Sequence, residues 1–495
     1  MKTTALLANA LIALCLTAYC NASLAETAVA TQCAEPSQSS YSSVLPCYVH
    51  QVASQPLLYQ SKGSTRLPGL NLNSFQLTSQ DWSPGDIASP ARWSHAVDLY
   101  IPDHPIRRKA LLVVNNGTNY VSEGQQPFPP NDFSQENLAE IARSTHTIVV
   151  AVSNIPNQFL TLGTYPPSRE DVSAAQSWHL FMDIPQQHAT LPLQVPMVAA
   201  VSRTMDLAQN ELKPWAIDQF ILSGASKRGW TAWLTSIVDH RVVAIAPLAA
   251  DLFDIRATFK HIYRSYGGNW PVAFAPYYAE GITEKIDTGA FASLMQIQDP
   301  SQYLLSDRRH RLAIPKYLIN ASGDDFFVPD NAGRYYDRLP GEKAIRLVPN
   351  SDHAGIRNVS TYALTSLLNR LQKNTALPSI DARIASEGQE QFIRVKFSEK
   401  PSQLKLWSAR NPSARDFRYA CGIRYTSEAL KAPVDGKNLS VLIPRTSVGW
   451  QAVFIEATYE DGFIATTPAF ITPQAKFPEQ APPSTGGACQ TLPTR

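Results

Sequence analysis

The chain has 495 residues, of which 44% are hydrophobic and 17% charged, with a formal net charge of +2. That composition suits a globular protein and excludes a disordered one, and the length allows two to four domains, or one large domain with a smaller one beside it. A charge so near balance gives no electrostatic reason to expect a nucleic-acid partner.

The chain opens with Lys2 and an apolar run, Ala5 to Ala18, followed by Ser23-Leu24-Ala25 and Glu26. This reads as a secretory signal peptide, residues 1–25, cut after Ala25. The run is interrupted and shorter than the roughly 20 residues a membrane span needs. Cys20 does not complete a lipid-attachment signal, because Tyr19 before it is too bulky. No later apolar run is long enough to cross a membrane, so a periplasmic or secreted protein with no integral membrane segment after cleavage is expected. Loss of Lys2 takes the charge to +1. Of six cysteines, Cys15 and Cys20 leave with the signal, and Cys33, Cys47, Cys421 and Cys489 remain. An even count in an exported chain favours two disulfides. Three pairings are open; Cys33 with Cys47 and Cys421 with Cys489 is the expectation, each pair lying within one segment. No C-x-x-C or H-E-x-x-H occurs, so neither a metal nor another cofactor is expected.

After a Ser- and Gln-rich loop, Ala34 to Ser43, strand-like and helix-period runs alternate. Strands are predicted at Ala96 to Ile101, Ala110 to Val114, Thr147 to Val152, Gln219 to Ser223, Val242 to Leu248, Pro315 to Asn320 and Ala344 to Val348. Helices are predicted at Gln135 to Arg143, Val195 to Leu212, Trp230 to Val238 and Ser360 to Leu371. This alternation argues an α/β fold, a mostly parallel sheet with helices on both faces. It breaks between Asp251 and Arg311, a stretch rich in aromatics with no clear strand, expected to form a cap over about residues 252–311. From about Ile380 short alternating strands appear at Phe392 to Phe397, Leu404 to Trp407, Leu439 to Ile443, Gln451 to Ala457 and Phe463 to Thr467, separated by turn signals such as Asp435-Gly436. They read as a small β-sandwich of the immunoglobulin or fibronectin kind with a Pro-rich tail. The predicted division is 1–25, 26–378 and 379–495.

The chemistry is carried by Ser223-Gly224-Ala225-Ser226-Lys227-Arg228-Gly229-Trp230. A strand enters and a helix leaves, and the serine has small neighbours, the outline of a nucleophile elbow. The second glycine comes one place later than in G-x-S-x-G, at Gly229, and Arg228 takes its usual position. A serine nucleophile needs a histidine base and a carboxylate to hold that histidine, in the chain order serine, acid, histidine on loops at strand ends. Asp324 and Asp325 follow one strand and His353 the next, which gives a triad Ser226, Asp324, His353 with Asp325 as the alternative acid. Asp352 is read as shaping the turn. Oxyanion donors are expected from the Lys227 N–H and from Gly117 or Thr118 after the strand Ala110 to Val114. Lys227 and Arg228 either point to solvent or form salt bridges on the elbow helix, or one of them faces the pocket, where Arg228 is the candidate for a substrate carboxylate.

The chain resembles the PhoPQ-activated pathogenicity-related protein family, also called the PqaA type. The resemblance rests on Asn154-Ile155-Pro156-Asn157-Gln158, Arg169-Glu170-Asp171, Pro196-Met197 with Met205-Asp206, the elbow Ser223 to Trp230, Gly323 to Phe327 and Pro349 to His353. Weaker matches at Arg415-Asp416-Phe417-Arg418 and Gly449-Trp450 extend it over about residues 45–475. It implies an exported bacterial protein of α/β-hydrolase fold with a β-sandwich after it, a triad at Ser226, Asp324 and His353, and an association with virulence. Family members with Asp-Glu at the acid position favour Asp324, and the G-A-S-K-R-G elbow is a family trait. No substrate is implied. Three readings stand: a carboxylic ester hydrolase, first; a serine peptidase of the prolyl or dipeptidyl type, for which Glu170-Asp171 or Glu280 would grip a substrate amino terminus; and a non-catalytic peptide-binding protein on a hydrolase scaffold. The partner is a small-molecule ester or a peptide.

Overall fold

The architecture comes from a computed structural model that describes residues 33, 41–119, 127–433, 435–444, 446 and 448–494. Residues 1–25, predicted to be a signal peptide, and most of the Ser- and Gln-rich loop lie outside the described residues; Tyr41–Ser43 is a short 3-10 turn.

A nine-stranded sheet forms the centre of the molecule. In chain order its strands are β1 (Leu58–Leu67), β2 (Leu70–Asp81), β3 (Arg92–Pro102), β4 (Lys109–Val114), β5 (Ile148–Val152), β6 (Gln219–Ala225), β7 (Val242–Leu248), β8 (Lys316–Ala321) and β9 (Lys343–Val348). In space they run β1-β2-β3-β5-β4-β6-β7-β8-β9. The first three are antiparallel, and β3 meets β5 antiparallel. From β5 to β9 all pairs are parallel. One crossover, β4 inside β5, followed by an unbroken parallel series is the α/β-hydrolase strand order.

The parallel strands are buried on both faces, which is why they read as continuous apolar runs. Along β4, Leu112 and Val114 join one core with the helices Val44–Ala53, Gln194–Glu211 and Lys227–Val238, whereas Leu111 and Val113 join the other with Gln135–Thr145 and Arg357–Gln372. The hairpin β1–β2 escaped the sequence reading because β1 is polar and almost wholly exposed, with Lys62, Gly63 and Arg66 along it. Charges and a bulge at Ser61/Gly63 suit a sheet edge that must not recruit another strand. The helix Glu170–Asp183 was missed for a different reason. Ser173, Gln176 and Ser177 are buried along with Ala174, Ala175, Trp178, Phe181 and Met182, so polar residues interrupt the buried face and blur the apolar period.

Residues 252–311 form the helices Ile255–Ser265, Ala275–Ala279 and Gly289–Gln298 with several 3-10 turns. One correction concerns strands. Trp270–Pro271 is a two-residue strand that pairs antiparallel with Thr491–Leu492 of the tail, too short to register as a pattern. The C-terminal part has a three-stranded sheet from Ile380–Glu387, Glu390–Phe397 and Asn438–Ile443, facing a second sheet built on Gln403–Asn411 and Trp450–Thr458. Ile393, Val395 and Phe397 of the first share a core with Leu404, Leu406 and Ile455 of the second. The sandwich is fixed to the edge of the main sheet, where Leu347 N–H donates to Thr466 Oγ1 at 3.0 Å and Tyr317 Oη to the Ile464 carbonyl. Both expected disulfides are present, Cys33–Cys47 with a Cα separation of 5.7 Å and Cys421–Cys489 with 4.9 Å.

Candidate active site

β6 ends in a sharp turn. Ser226 has φ 56° and ψ −125°, a conformation that costs a non-glycine residue about 1–3 kcal/mol and is held only by its surroundings. Here the hold is a hydrogen bond from Ser226 N–H to the Leu248 carbonyl at 2.8 Å and one from Trp230 N–H to the Ser226 carbonyl at 3.0 Å. The helix after the turn begins at Lys227, three residues earlier than the sequence suggested, because the elbow itself supplies its first turn. A Cβ on Gly229 would lie 2.8 Å from the Gly224 carbonyl oxygen and 2.9 Å from Ala250 Cβ. Glycine at this position, one residue beyond the usual place, is what lets the helix close on the strand end. The displaced pattern leaves Arg228 free to carry a side chain.

The loop after β8 carries the acids. Asp324 is buried, and its Oδ1 accepts the N–H groups of Phe326 at 2.7 Å and Phe327 at 3.2 Å. Gly323 is held against the sandwich, where a Cβ would meet Tyr419 N at 2.6 Å. The loop after β9 carries His353. It is braced by Asn350, whose N–H donates to Ser322 Oγ and whose side chain exchanges hydrogen bonds with the Tyr425 backbone at 2.7 and 2.9 Å. Asp352 accepts the Gly355 N–H at 2.6 Å, the turn-shaping part expected of it. His353 Nδ1 lies 3.0 and 2.9 Å from the two oxygens of Asp324, and its Nε2 lies 2.9 Å from Ser226 Oγ. Burial disfavours the charged imidazole, but the adjacent Asp324 charge and hydrogen bond outweigh it and raise the His353 pKa above its ordinary value. Asp325 makes no such contact. Its Oδ1 is buried without a partner among the described residues, and burial, then the charges of Asp324 and Asp352, push its carboxyl up to about 6.

Ser226, Asp325 and His353 border a cavity of about 490 Å³ that also exposes Gly117, Phe128, Arg169, Lys227, Arg228 and Arg357. Lys227 and Arg228 are both buried and both at its wall. Lys227 Nζ reaches Glu170 at 2.8 Å and Asp171 at 3.1 Å. Arg228 pairs with Glu170 and with Asp132, and its Nε donates to the Ile155 carbonyl at 2.6 Å. Burial penalises Glu170 as an anion, yet Arg228 and Lys227 hold its carboxyl well below the usual range. The two alternatives for these cations therefore merge: they face the cavity, and their charges are already answered by three carboxylates.

Residues 45–418 match the PhoPQ-activated pathogenicity-related protein family. The chain belongs to this family. Autocrine proliferation repressor protein A of Dictyostelium discoideum is 27% identical over 407 residues, covering 78% of this chain and 80% of that protein. Among solved structures, acetyl xylan esterase 1 from Thermoanaerobacterium sp. JW/SL YS485 is 12% identical with a TM-score of 0.41, covering 67% of this chain and 95% of that one. A glucuronoyl esterase from Solibacter usitatus is also 12% identical, with a TM-score of 0.35 and coverage of 64% and 87%.

The blocks that carry the family resemblance converge in space. Gln158 Nε2 donates to the Gly117 carbonyl and to Glu170 Oε1, both at 2.8 Å, and its Oε1 accepts the Glu170 N–H at 3.1 Å. Arg228 closes the ring through Ile155 and Glu170. The segments 154–158, 169–171 and 226–230 thus form one scaffold behind the serine. Positive φ angles gather here too, at Asn154, Glu170, Ser226 and Ala249, as expected where a site is held in a strained form. Of the two residues named after β4 for an oxyanion, the N–H of Thr118 is engaged by the Phe128 carbonyl at 3.0 Å, while Gly117 borders the cavity. Sequence reasoning missed Asp132, Phe128, Arg169 and Ala488 as wall residues. Ala488 reaches the cavity because Arg418 binds the carbonyls of Ala488, Cys489 and Gln490. That contact had no signal in the chain. Glu280 lies elsewhere, hydrogen-bonded to Tyr165 Oη at 2.6 Å. Among the described residues no helix is long and apolar enough to cross a membrane.

Proposed function

We propose that this protein is an exported serine hydrolase that cleaves carboxylic esters, with Ser226 as nucleophile, His353 as base and Asp324 as the residue that orients it. The observation that carries this is the unbroken chain of contacts, 2.9 Å from Ser226 Oγ to His353 Nε2 and 2.9 Å from His353 Nδ1 to Asp324. In the acylation step Ser226 Oγ bonds to the ester carbonyl carbon while His353 takes the hydroxyl proton. Asp324 holds the Nδ1–H tautomer and stabilises the imidazolium. The N–H groups of Lys227 and Gly117 receive the oxyanion. The carbon–oxygen bond to the alcohol then breaks, and the proton on Nε2 passes to the departing alkoxide. Water repeats the sequence to release the acid and restore the serine.

An ester is favoured over a peptide because the acidic groups that would grip an amino terminus are spent. Glu170 and Asp171 are paired to Lys227, and Glu280 is not at the cavity. Export is supported by the two disulfides, which persist in oxidising compartments.

The test is labelling of the mature protein with a fluorescent fluorophosphonate, beside Ser226→Ala. Labelling of wild type alone is expected, followed by faster turnover of p-nitrophenyl esters than of aminoacyl-proline amides. A folded wild type that stays unlabelled by an active probe would overturn the nucleophile, and preference for the amides would overturn the substrate class.

A further inference from the structure

Ser226 opens on two spaces of very different size. One is the open cavity of about 490 Å³. The other is a small chamber of about 40 Å³ beside Ser226 and His353, walled by Leu252, Phe259, Phe274, Tyr277, Trp178 and Phe326. Its walls are tied together. The Trp178 ring lies 5.3 Å from that of Tyr277 and 5.7 Å from that of Trp230, Phe259 lies 5.1 Å from Phe274, and Phe274 lies 5.8 Å from Phe326. Rings in mutual edge and tilted contact are close-packed, so one cannot withdraw without disturbing the next.

We infer that this chamber is the acyl subsite and that the substrate is an ester of a short uncharged acyl group, of two to four carbons. The inference rests on the serine-hydrolase reading above. Three arguments support it. A water-sized group needs about 10–15 Å³ of such space, so the chamber admits about three, the methyl or short alkyl part of a small acid. Its lining is aromatic and aliphatic apart from Asp171 and Lys227 at one side, which are paired to each other; an acyl chain bearing its own charge would be desolvated there without a partner. And the alcohol must leave before water attacks the acyl-enzyme, so the larger portion of the substrate belongs in the roomier cavity of about 490 Å³. The cap thereby selects the acid part through Leu252, Phe259 and Phe274, and the wider cavity accommodates the alcohol.

The test is a series with one leaving group, p-nitrophenyl acetate, butyrate and octanoate, so that only the acyl chain varies. For wild type, kcat/KM on octanoate is expected to be at least about 100-fold below that on butyrate, since a few methylenes with no room each cost a sizeable factor. Leu252→Ala and Phe274→Ala, made separately, are each expected to raise the octanoate-to-acetate ratio at least about tenfold. Octanoate turned over as fast as acetate by wild type overturns the inference, as does a ratio unmoved in both folded variants. If neither variant folds, the wild-type series decides alone. Fluorophosphonate labelling is run on every protein. A labelled wild type that hydrolyses none of the three esters overturns the acyl subsite and leaves the activated serine standing, whereas a wild type that neither labels nor hydrolyses overturns the parent reading and this inference with it.

Discussion

Asp324 addresses His353 with both carboxylate oxygens, at 3.0 and 2.9 Å, while Asp325, the next residue in the chain, makes no contact with the imidazole nitrogens and turns a buried oxygen toward no partner. Adjacent residues on one loop point to different places, which is how the fold separates two acids that chain order and spacing alone do not tell apart. Asp324→Asn is expected to lower kcat/KM about 10⁴-fold, because the amide favours the wrong imidazole tautomer. Asp325→Asn is expected to cost less than about tenfold. In the proposed reaction His353 acts as a neutral base, and Asp324 raises its pKa from the ordinary 6.5, so wild-type activity is expected to fall as pH drops through a value above 6.5. A pH–rate profile of wild type and both variants checks all three expectations.

The elbow strain makes a second prediction, on stability. Ser226 sits at φ 56°, where a non-glycine residue stores about 1–3 kcal/mol, while glycine carries an entropic cost of roughly 0.5–1 kcal/mol. Ser226→Gly is therefore expected to be inactive yet more stable than wild type, by about 1 kcal/mol. Denaturant unfolding monitored by tryptophan fluorescence measures it, and a loss of stability would contradict the strain argument.

The cation cluster predicts the opposite sign for its acid. Glu170→Gln leaves Lys227 and Arg228, both buried, short of one carboxylate, and is expected to destabilise the protein by about 3 kcal/mol. The folded Glu170 carboxyl lies well below its ordinary 4.5. Its stabilising contribution is thus complete above pH 4.5 and is lost as pH falls toward the folded value. The stability difference between wild type and variant should shrink as the buffer is taken below pH 4.5, read by unfolding at a series of pH values.

The disulfide Cys421–Cys489 closes 68 residues and anchors the stretch that brings Ala488 to the cavity. Replacing both cysteines with serine is expected to cost about 4 kcal/mol on loop-entropy grounds. Because the tail wall loosens while Ser226, His353 and Asp324 do not move, KM for p-nitrophenyl acetate should rise more than kcat falls. Steady-state kinetics and thermal unfolding of the double variant test the two parts.

The sequence by itself determined the parallel strands, the elbow and the order of the three site residues, because each is a local property. A strand buried on both faces must be a continuous apolar run, and a sharp strand-to-helix turn must be flanked by small residues. Val242–Leu248 was read to the residue. Whole elements have no sequence signal where buried polar residues blur a helix's period or a strand lacks burial, as in Glu170–Asp183 and Leu58–Leu67. Only the tertiary structure decided which aspartate meets His353, that Glu170 and Asp132 neutralise Arg228 from 58 and 96 residues away, and that the tail completes the wall of the cavity. Those are pairings between distant segments. They depend on how the loops at the strand ends are brought together, and no periodicity or motif along the chain encodes a contact of that kind.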